Sequence, residues 1–432
     1  MSTLKVNKLR DTAGSADAIT LDPNGGAVLA GVTTMTTARV TSGIVTNTFI
    51  VGAGVTISES GIEASGIGIT CANINGTQIG GRRNIIINGD CRVAQRGTSS
   101  TTGGLTTIDR WRGAVGSGLG SITFTGSQES LSSSDTGPWG EGFRKYFRIA
   151  QSGAGTANAS GAIENQYRIE AQDIANSGWN YLSPSSFMTI SFWFRCSTNQ
   201  TFYGRIYSYD GTAQAYAYSF TASGNDTWTK ITHTFPGNSN LTFDDNENAG
   251  MQLLFIPFYG TDYTNDKTLN TWAAHSGSNY VPDMASTWLT AGASTFDMTG
   301  LQLEVGSQAT AFEHRSFGEE LQLCARYFQQ FEGGSNTLFA TGFTATNDFY
   351  GGGTLPMGKM RAAPTIAVDG TLSHLNYTHV AVARNVSSIT NQGSGDTSFV
   401  LRLQSTSTTT DNAGAYARII DSSTNLTFDA EL

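Results

Sequence analysis

Charge is scarce in this chain. Asp, Glu, Lys and Arg make up 14% of its 432 residues, against the roughly one quarter usual for soluble globular proteins. The 25 Lys and Arg form no basic stripe, and the formal net charge is −9. That argues against a nucleic-acid partner, since phosphate binding needs clustered cations. Cysteine is limited to Cys71, Cys91, Cys196 and Cys324. With no C-x-x-C among them, a zinc site or redox motif is not expected. Free thiols in a chain assembled in a reducing cytoplasm are the simplest reading. No run of about 18 apolar residues is present, and "MSTLKVNKLR" lacks an apolar signal core. Neither secretion by signal peptide nor membrane spanning is expected. Catalytic signatures are missing too. There is no G-x-S-x-G elbow and no H-E-x-x-H. His374 and His379 lie five apart, on opposite faces of a strand, and read as surface or interface residues. "GTLPMGKM" (353–360) resembles a phosphate loop, but Met360 stands where a Mg²⁺-binding hydroxyl is needed. No enzyme activity and no cofactor are expected.

What is abundant is Gly, with 51 residues, alongside Thr, Ser and Asn between short apolar runs. This mixture suits strands and turns. Across 31–81, Phe49 is the only aromatic and Arg39 the only basic residue. Val, Ile and Thr recur there with Gly between them. One chain cannot build a core from such material. A collagen register is absent, and the glycines disfavour a coiled coil. A β-rich thread that gains its core by winding with copies of itself remains.

Residues 84–313 read as an antiparallel sandwich. "SITFTG", "FRKYFRIA", "FMTISFWFRC", "FYGRIYSY", "QAYAYSFT", "TWTKITHTF", "GMQLLFIPF" and "STFDMTGLQL" recur with turn signals between them. In Phe187–Cys196, Met188, Ile190, Phe192, Phe194 and Cys196 alternate with polar residues, the pattern of one buried face. Then comes a helix. Ser316 as N-cap with Glu319 forms a capping box. Leu321, Cys324, Ala325, Phe328 and Phe331 make one apolar stripe, and Gly333 and Gly334 supply the stop. Such a short helix must dock its stripe. A threefold axis is the favoured partner, and an edge of its own sandwich the alternative. Beyond it, "SFVLRLQS" and "LTFDAEL" return to strand alternation. The expected fold class is all-β. A trimeric β-rich N-terminal stalk (1–81) precedes an antiparallel jelly-roll sandwich (84–313), one linking amphipathic helix (314–334) and a small C-terminal β domain (335–432).

The candidate binding residues are aromatic. Asp210-Gly211 signals a hairpin turn. If those two residues form the loop, Tyr207 pairs with Gln214, Arg205 with Tyr216 and Tyr203 with Tyr218. One face then carries Tyr203, Arg205, Tyr207, Gln214, Tyr216 and Tyr218, with Tyr209 near the turn. Rings stack on the C–H face of a sugar while polar groups take its hydroxyls. The bland alternative places these tyrosines in the core or a subunit interface. In that case the loop "NDKTLNTWAAHSGSNY" (265–280) or the C-terminal domain is the next place to look. Asp244, Asp245 and Glu247 in "FDDNENAG", and Asp262 and Asp266, read as solvated loops. A structural Ca²⁺ at the first cluster is the competing reading.

Some segments resemble a known family. "NIIINGDCRVAQRG…TIDRWR" (84–112) resembles the opening of the jelly-roll domain of bacteriophage tail fibres. "LQLEVGSQATAFEHRSFGEELQLCARYFQQ" (301–330) resembles its close and the helix after it. "MRAAPTI" and "DAEL" look like the small tip domain of such fibres, and "STLKVNKLRDTAG" like the virion-proximal start of marine and cyanobacterial phage fibres. The resemblance implies a homotrimer located in the virion after assembly in the host cytoplasm. Its N-terminus would meet phage tail or baseplate proteins, and its distal β domains a host-surface glycan or lipopolysaccharide. A tailspike depolymerase, or a baseplate or collar fibre without receptor binding, are the alternatives.

Overall fold

The computed structural model describes residues 83–334, 337–370, 372–376, 384–405, 413–419 and 422–432, together with eight short strands between residues 8 and 78. The chain divides into two compact units, Met1–Cys71 and Ala72–Leu432. In the first, β1 (Lys8–Leu9), β2 (Ile19–Leu21) and β3 (Ala27–Leu29) form one antiparallel sheet, and β4 (Thr48–Val51), β5 (Val55–Ser58) and β6 (Gly61–Ala64) another. The remainder of the stalk reading lies outside the described residues. The second unit opens with a hairpin of β7 (Asn73–Ile74) and β8 (Thr77–Gln78).

The sandwich follows. Its elements are β9 (Ser99–Ser100), β10 (Trp111–Ser117), β11 (Phe124–Ser130), β12 (Lys145–Gln151), β13 (Ala162–Glu170), α1 (Ala171–Ala175) and β14 (Phe187–Cys196). Next come β15 (Phe202–Ser208), β16 (Gln214–Phe220), β17 (Thr229–Pro236), β18 (Ala249–Tyr259), β19 (Trp272–Ala274), α2 (Thr287–Thr290) and β20 (Thr295–Val305). Two six-stranded sheets result, ordered β10-β13-β18-β15-β16-β19 and β17-β14-β20-β12-β11-β9. All eight strand-like runs seen in the sequence are strands. Their inward residues interlock in one aromatic-rich core that includes Trp111, Phe147, Phe192, Phe194, Phe202 and Phe255. Met188, Ile190, Phe192, Phe194 and Cys196 of β14 are buried as expected, but Thr189 and Ser191 are buried too, so exposure alternates only from Trp193 onward. Cys91, Cys196 and Cys324 are free and buried, while Cys71 lies outside the described residues.

The helix, α3 (Phe317–Cys324), starts as expected: Ser316 Oγ accepts from the Glu319 amide, and Glu319 Oε2 accepts from the Ser316 amide. Its length differs from the sequence reading. The helix ends at Cys324, and Phe328 and Phe331 belong to β21 (Phe328–Phe331). That segment pairs with β29 (Asn425–Asp429), roughly a hundred residues away. Strand pairing with a distant partner overrides the local helical spacing. The stripe is also covered within one chain. Cys324 packs with Ile87, Val93 and Tyr327 at the opening of the sandwich. This intrachain docking matches the alternative reading, in which the helix covers its own sandwich.

The C-terminal domain comprises β22 (Thr337–Ala345), β23 (Asp348–Thr354), β24 (Thr365–Asp369), β25 (Leu372–Asn376), β26 (Arg384–Ser394), β27 (Ser398–Ser405) and β28 (Gly414–Ile419). Six of these close a barrel in the order β22-β23-β27-β26-β25-β28, beside a small sheet β21-β29-β24. Leu426, Phe428 and Ala430 enter the barrel's core, as the alternation of "LTFDAEL" predicts. The phosphate-loop look-alike is a turn whose Lys359 pairs with Asp396.

The segments of the second unit that carry the family resemblance meet at one junction. Glu313 Oε2 accepts from the amides of Arg83 and Asn84, and Arg315 donates to the carbonyls of Asn84 and Ile86. The Asn88 amide donates to buried Glu320, and Trp111 Nε1 donates to Asn88 O. The last residues join them. Glu431 pairs with Arg110 and Arg96, Asp429 pairs with Arg96, and the Arg96 and Arg110 guanidinium groups lie over the rings of Phe328 and Tyr327. Arg326 makes a bidentate pair with buried Glu170. These motifs are a structural clasp between sandwich and barrel.

Candidate functional site

The first sheet has one face in the core and one outside. Along β15, Phe202, Gly204, Ile206 and Ser208 point inward, while Tyr203, Arg205 and Tyr207 point out. The partner register decides the tyrosines of β16. Arg205 pairs with Ala217, Ile206 with Tyr216 and Gly204 with Tyr218. This is one residue off the register expected from a two-residue Asp210-Gly211 loop, because the connection runs from Tyr209 to Ala213. A one-residue slip turns a strand over. Tyr216 and Tyr218 therefore sit in the core. Gly204 makes the room: a Cβ there would lie 2.2 Å from Tyr218 Cζ. Tyr216 donates to or accepts from His233 Nε2 at 3.2 Å, and Tyr218 stacks on the same imidazole at 4.5 Å. Burial pushes the His233 pKa down to about 4. Gln214 is also turned away from Tyr207. It is buried and closes its own loop through Nε2 to Thr212 O at 2.9 Å.

Four of the seven sequence candidates share the outer region: Tyr203, Arg205, Tyr207 and Tyr209. Two cross-strand rows build the floor. One runs Arg168–Gln252–Tyr207–Ala215, the other Arg112–Gln166–Leu254–Arg205–Ala217. The segment 260–284 runs as β19 along the edge of β16 and folds its two ends over the face beside Ala217. Asn270 and His275 anchor it through their amides to Ala217 O and Ala213 O, each at 2.8 Å. Tyr263, Tyr280, Val281 and Met284 cluster with Tyr203 and Ile256, covering that end of the face. The Tyr207 end stays half open. Tyr207 and Tyr209 meet edge to face at 4.8 Å, and Tyr207 meets His275 at 5.0 Å. Among the described residues, neither the Tyr207 nor the Tyr209 hydroxyl makes a hydrogen bond.

The floor is a polar chain. Gln252 Nε2 donates to Gln166 Oε1 at 2.8 Å, Gln166 Nε2 donates to Glu164, and the Tyr259 hydroxyl donates to the other Glu164 oxygen. Arg168 reaches over the Tyr209 ring at 5.8 Å and donates to Leu432 O at 2.7 Å. Arg205 lies under Tyr207 and Tyr280, 4.8 and 4.4 Å from the ring centres, and its Nη2 bonds His275 Nδ1 at 2.7 Å. Burial raises the Tyr209 pKa and lowers that of Arg205. For His275, burial lowers the pKa first and the Arg205 charge adds to it, and because a guanidinium can only donate, Nδ1 is the acceptor of the 2.7 Å bond. Half-buried rings with amide and guanidinium edges can stack on a pyranose and bond its hydroxyls. Sequence reading missed the floor residues of β13, whose Glu164, Gln166 and Arg168 alternate with inward Ile163, Asn165, Tyr167 and Ile169. It named the covering loop only as a fallback.

The other candidates do not gather into a site. Asp245 accepts from Asn176 Nδ2 at 2.7 Å. Among the described residues, no three His, Cys, Asp or Glu side chains are placed to share a metal ion, so the Ca²⁺ reading of "FDDNENAG" finds no ligand cluster. The His374 side chain and all of His379 lie outside the described residues.

No family model and no curated protein matches this sequence. Among solved structures, the enzymatically active domain of bacteriophage CBA120 tailspike protein 4 is similar at 11% identity and a TM-score of 0.26; the match covers 51% of this chain and 21% of that one. A family 11 carbohydrate-binding module from a Clostridium thermocellum cellulase matches at 12% identity and TM-score 0.24, over 50% of this chain and 98% of that one. A xylan-binding domain from Paenibacillus barcinonensis matches at 10% identity and TM-score 0.21, covering 49% and 94%.

Proposed function

We propose that this chain is a homotrimeric bacteriophage tail fibre that attaches to the virion by its N-terminal region and binds a host-surface glycan without cleaving it. The observation that carries the glycan reading is the outer face of the first sheet. There Tyr207 and Tyr209 stand half open beside a hydrogen-bonding floor of Gln252, Gln166 and Arg168. The carboxylate of that floor, Glu164, has both oxygens engaged by Gln166 and Tyr259, which favours binding over hydrolysis. The fibre reading rests on the sequence resemblance and on the core-poor composition of residues 1–81.

Adsorption of labelled full-length protein to a panel of bacterial strains tests the proposal, with purified surface polysaccharide as competitor. Tyr207→Ala and Tyr209→Ala each remove a ring from the platform and should weaken binding roughly 5–30-fold, the equivalent of one or two kcal/mol. Adsorption that neither variant weakens and no polysaccharide competes would discard the glycan face. Sedimentation as a stable monomer at micromolar concentration would discard the trimer.

A further inference from the structure

Several arginines in this fold are paired with carboxylates. Arg96, Arg110, Arg148, Arg195, Arg315 and Arg326 each pair with Asp or Glu. Arg205 does not. It is 3% exposed, and among the described residues no carboxylate lies within ion-pairing distance. Its Nη2 meets only the neutral ring of His275, and its Nε is buried with no hydrogen-bond partner. A second cation, Lys267 on the covering loop, is 9% exposed and likewise forms no ion pair among the described residues. Burial lowers its pKa, and the Arg205 charge adds to that effect. Of the nearby acids, Glu164 acts on Arg205 only through space, its two oxygens turned to Gln166 and Tyr259, and Asp283 accepts from Thr264 at 2.7 Å. Asp262 and Asp266 point to solvent as exposed residues of the same loop.

A cation removed from water without a contacting anion is costly, and the tyrosine rings at 4.4 and 4.8 Å together with the through-space Glu164 charge offset only part of it. A neutral sugar brings hydroxyls, which leave the charge unmatched. A carboxylate offers two oxygens to the side edge of a guanidinium, where Nε–H and Nη2–H point the same way, and makes the stronger charge-assisted pair. Taking that edge requires His275 to give up its bond to Nη2. The half-open Tyr207 ring beside the guanidinium is the one left to the pyranose that carries the acid.

We infer that the glycan recognised on this face is acidic, bearing a uronic-acid-type carboxylate that seats against Arg205 with Lys267 beside it. This rests on the glycan reading above and narrows it to one chemical class.

The test is to screen the full chain on an array of purified bacterial polysaccharides, half with uronate-containing repeats and half neutral. Each bound polymer is then re-measured after chemical reduction of its carboxyl groups. Uronate polymers should bind, and reduction should weaken binding at least tenfold, as should Lys267→Met. In the free protein, Arg205→Met should leave the melting temperature unchanged or raise it, because it removes an unmatched charge. Adding a bound uronate polymer should then stabilise the wild type and not this variant. Binding to neutral polymers, or binding indifferent to carboxyl reduction, overturns the acidic assignment while leaving the glycan face intact. Binding to no polymer on the array counts against both. An Arg205→Met variant that melts markedly lower yet binds as before shows that Arg205 is structural.

Discussion

Replacing Tyr216 by Ala tests the strand register on which the site depends. Tyr216 is 2% exposed, and its ring lies 5.3 Å from Trp272 and 5.8 Å from Phe235. Truncating a buried aromatic side chain costs about 3–5 kcal/mol. For a domain of this size each kcal/mol lowers the melting temperature by about 2–4 °C, so a fall of roughly 6–20 °C is expected. Tyr216→Phe keeps the ring and loses only the hydroxyl bond to His233, at about 0.5–1.5 kcal/mol. Tyr207→Ala, on the half-open face, should cost much less than Tyr216→Ala. Calorimetry of the full chain reads all three, and adsorption measured well below the transition reads function. The reasoning fails if Tyr216→Ala melts within about 2 °C of wild type while adsorption is lost. Tyr216 would then share the outer face with Tyr207, and the two-residue hairpin would be the true one.

Two further outcomes follow from buried groups. Phe328→Ala empties a site under the Arg96 guanidinium, 3.8 Å from the ring centre, and should cost about 3–5 kcal/mol; limited proteolysis should cut the barrel free first, with the oligomeric state unchanged. Because the folded pKa of His233 is depressed to about 4 by burial, its neutral form stabilises the fold above its ordinary value near 6.5, and that contribution is lost as pH falls from there towards 4. His233→Phe should flatten the stability curve in that window, read by thermal melts from pH 7 to pH 4.

The strands were legible where alternation was strong and local. β14, β18 and β20 announce themselves, and the capping box of Ser316 and Glu319 fixes where α3 begins. The end of α3 was not legible. Phe328 and Phe331 fit a helical stripe and a strand equally well, and β29, the partner that decides between them, lies far along the chain. The hairpin failed for a subtler reason. Asp210-Gly211 is a genuine turn signal, and Gly211 does take a left-handed φ of +62°, but the connection is longer than two residues. The size pattern held the correction. Gly204 opposite Tyr218 sets a small residue against a large one on the core side, and Phe202 opposite Phe220 stacks two rings there. The alternation of β13 was present in "AIENQYRIE" and went unread because its outward residues are polar on both flanks. Arg205 was chosen correctly for the outer face, but its unpaired charge depends on what the covering loop brings, and no local pattern reports that.

The clasp has a mechanical consequence. β21 leaves the sandwich and β29 returns beside it, so the barrel is held at two points. One is the covalent link through α3. The other is the set of ion pairs from Asp429 and Glu431 to Arg96 and Arg110. A single linker would let the barrel swivel about its bonds. Two adjacent attachments, paired as strands, remove that rotation and leave only bending. Torque applied to the barrel by a surface is then carried into the sandwich instead of being dissipated at a joint. The two domains therefore keep a fixed mutual angle, and cutting the ion pairs alone should soften the coupling without freeing it, because the β21–β29 pairing and the Arg326–Glu170 pair remain.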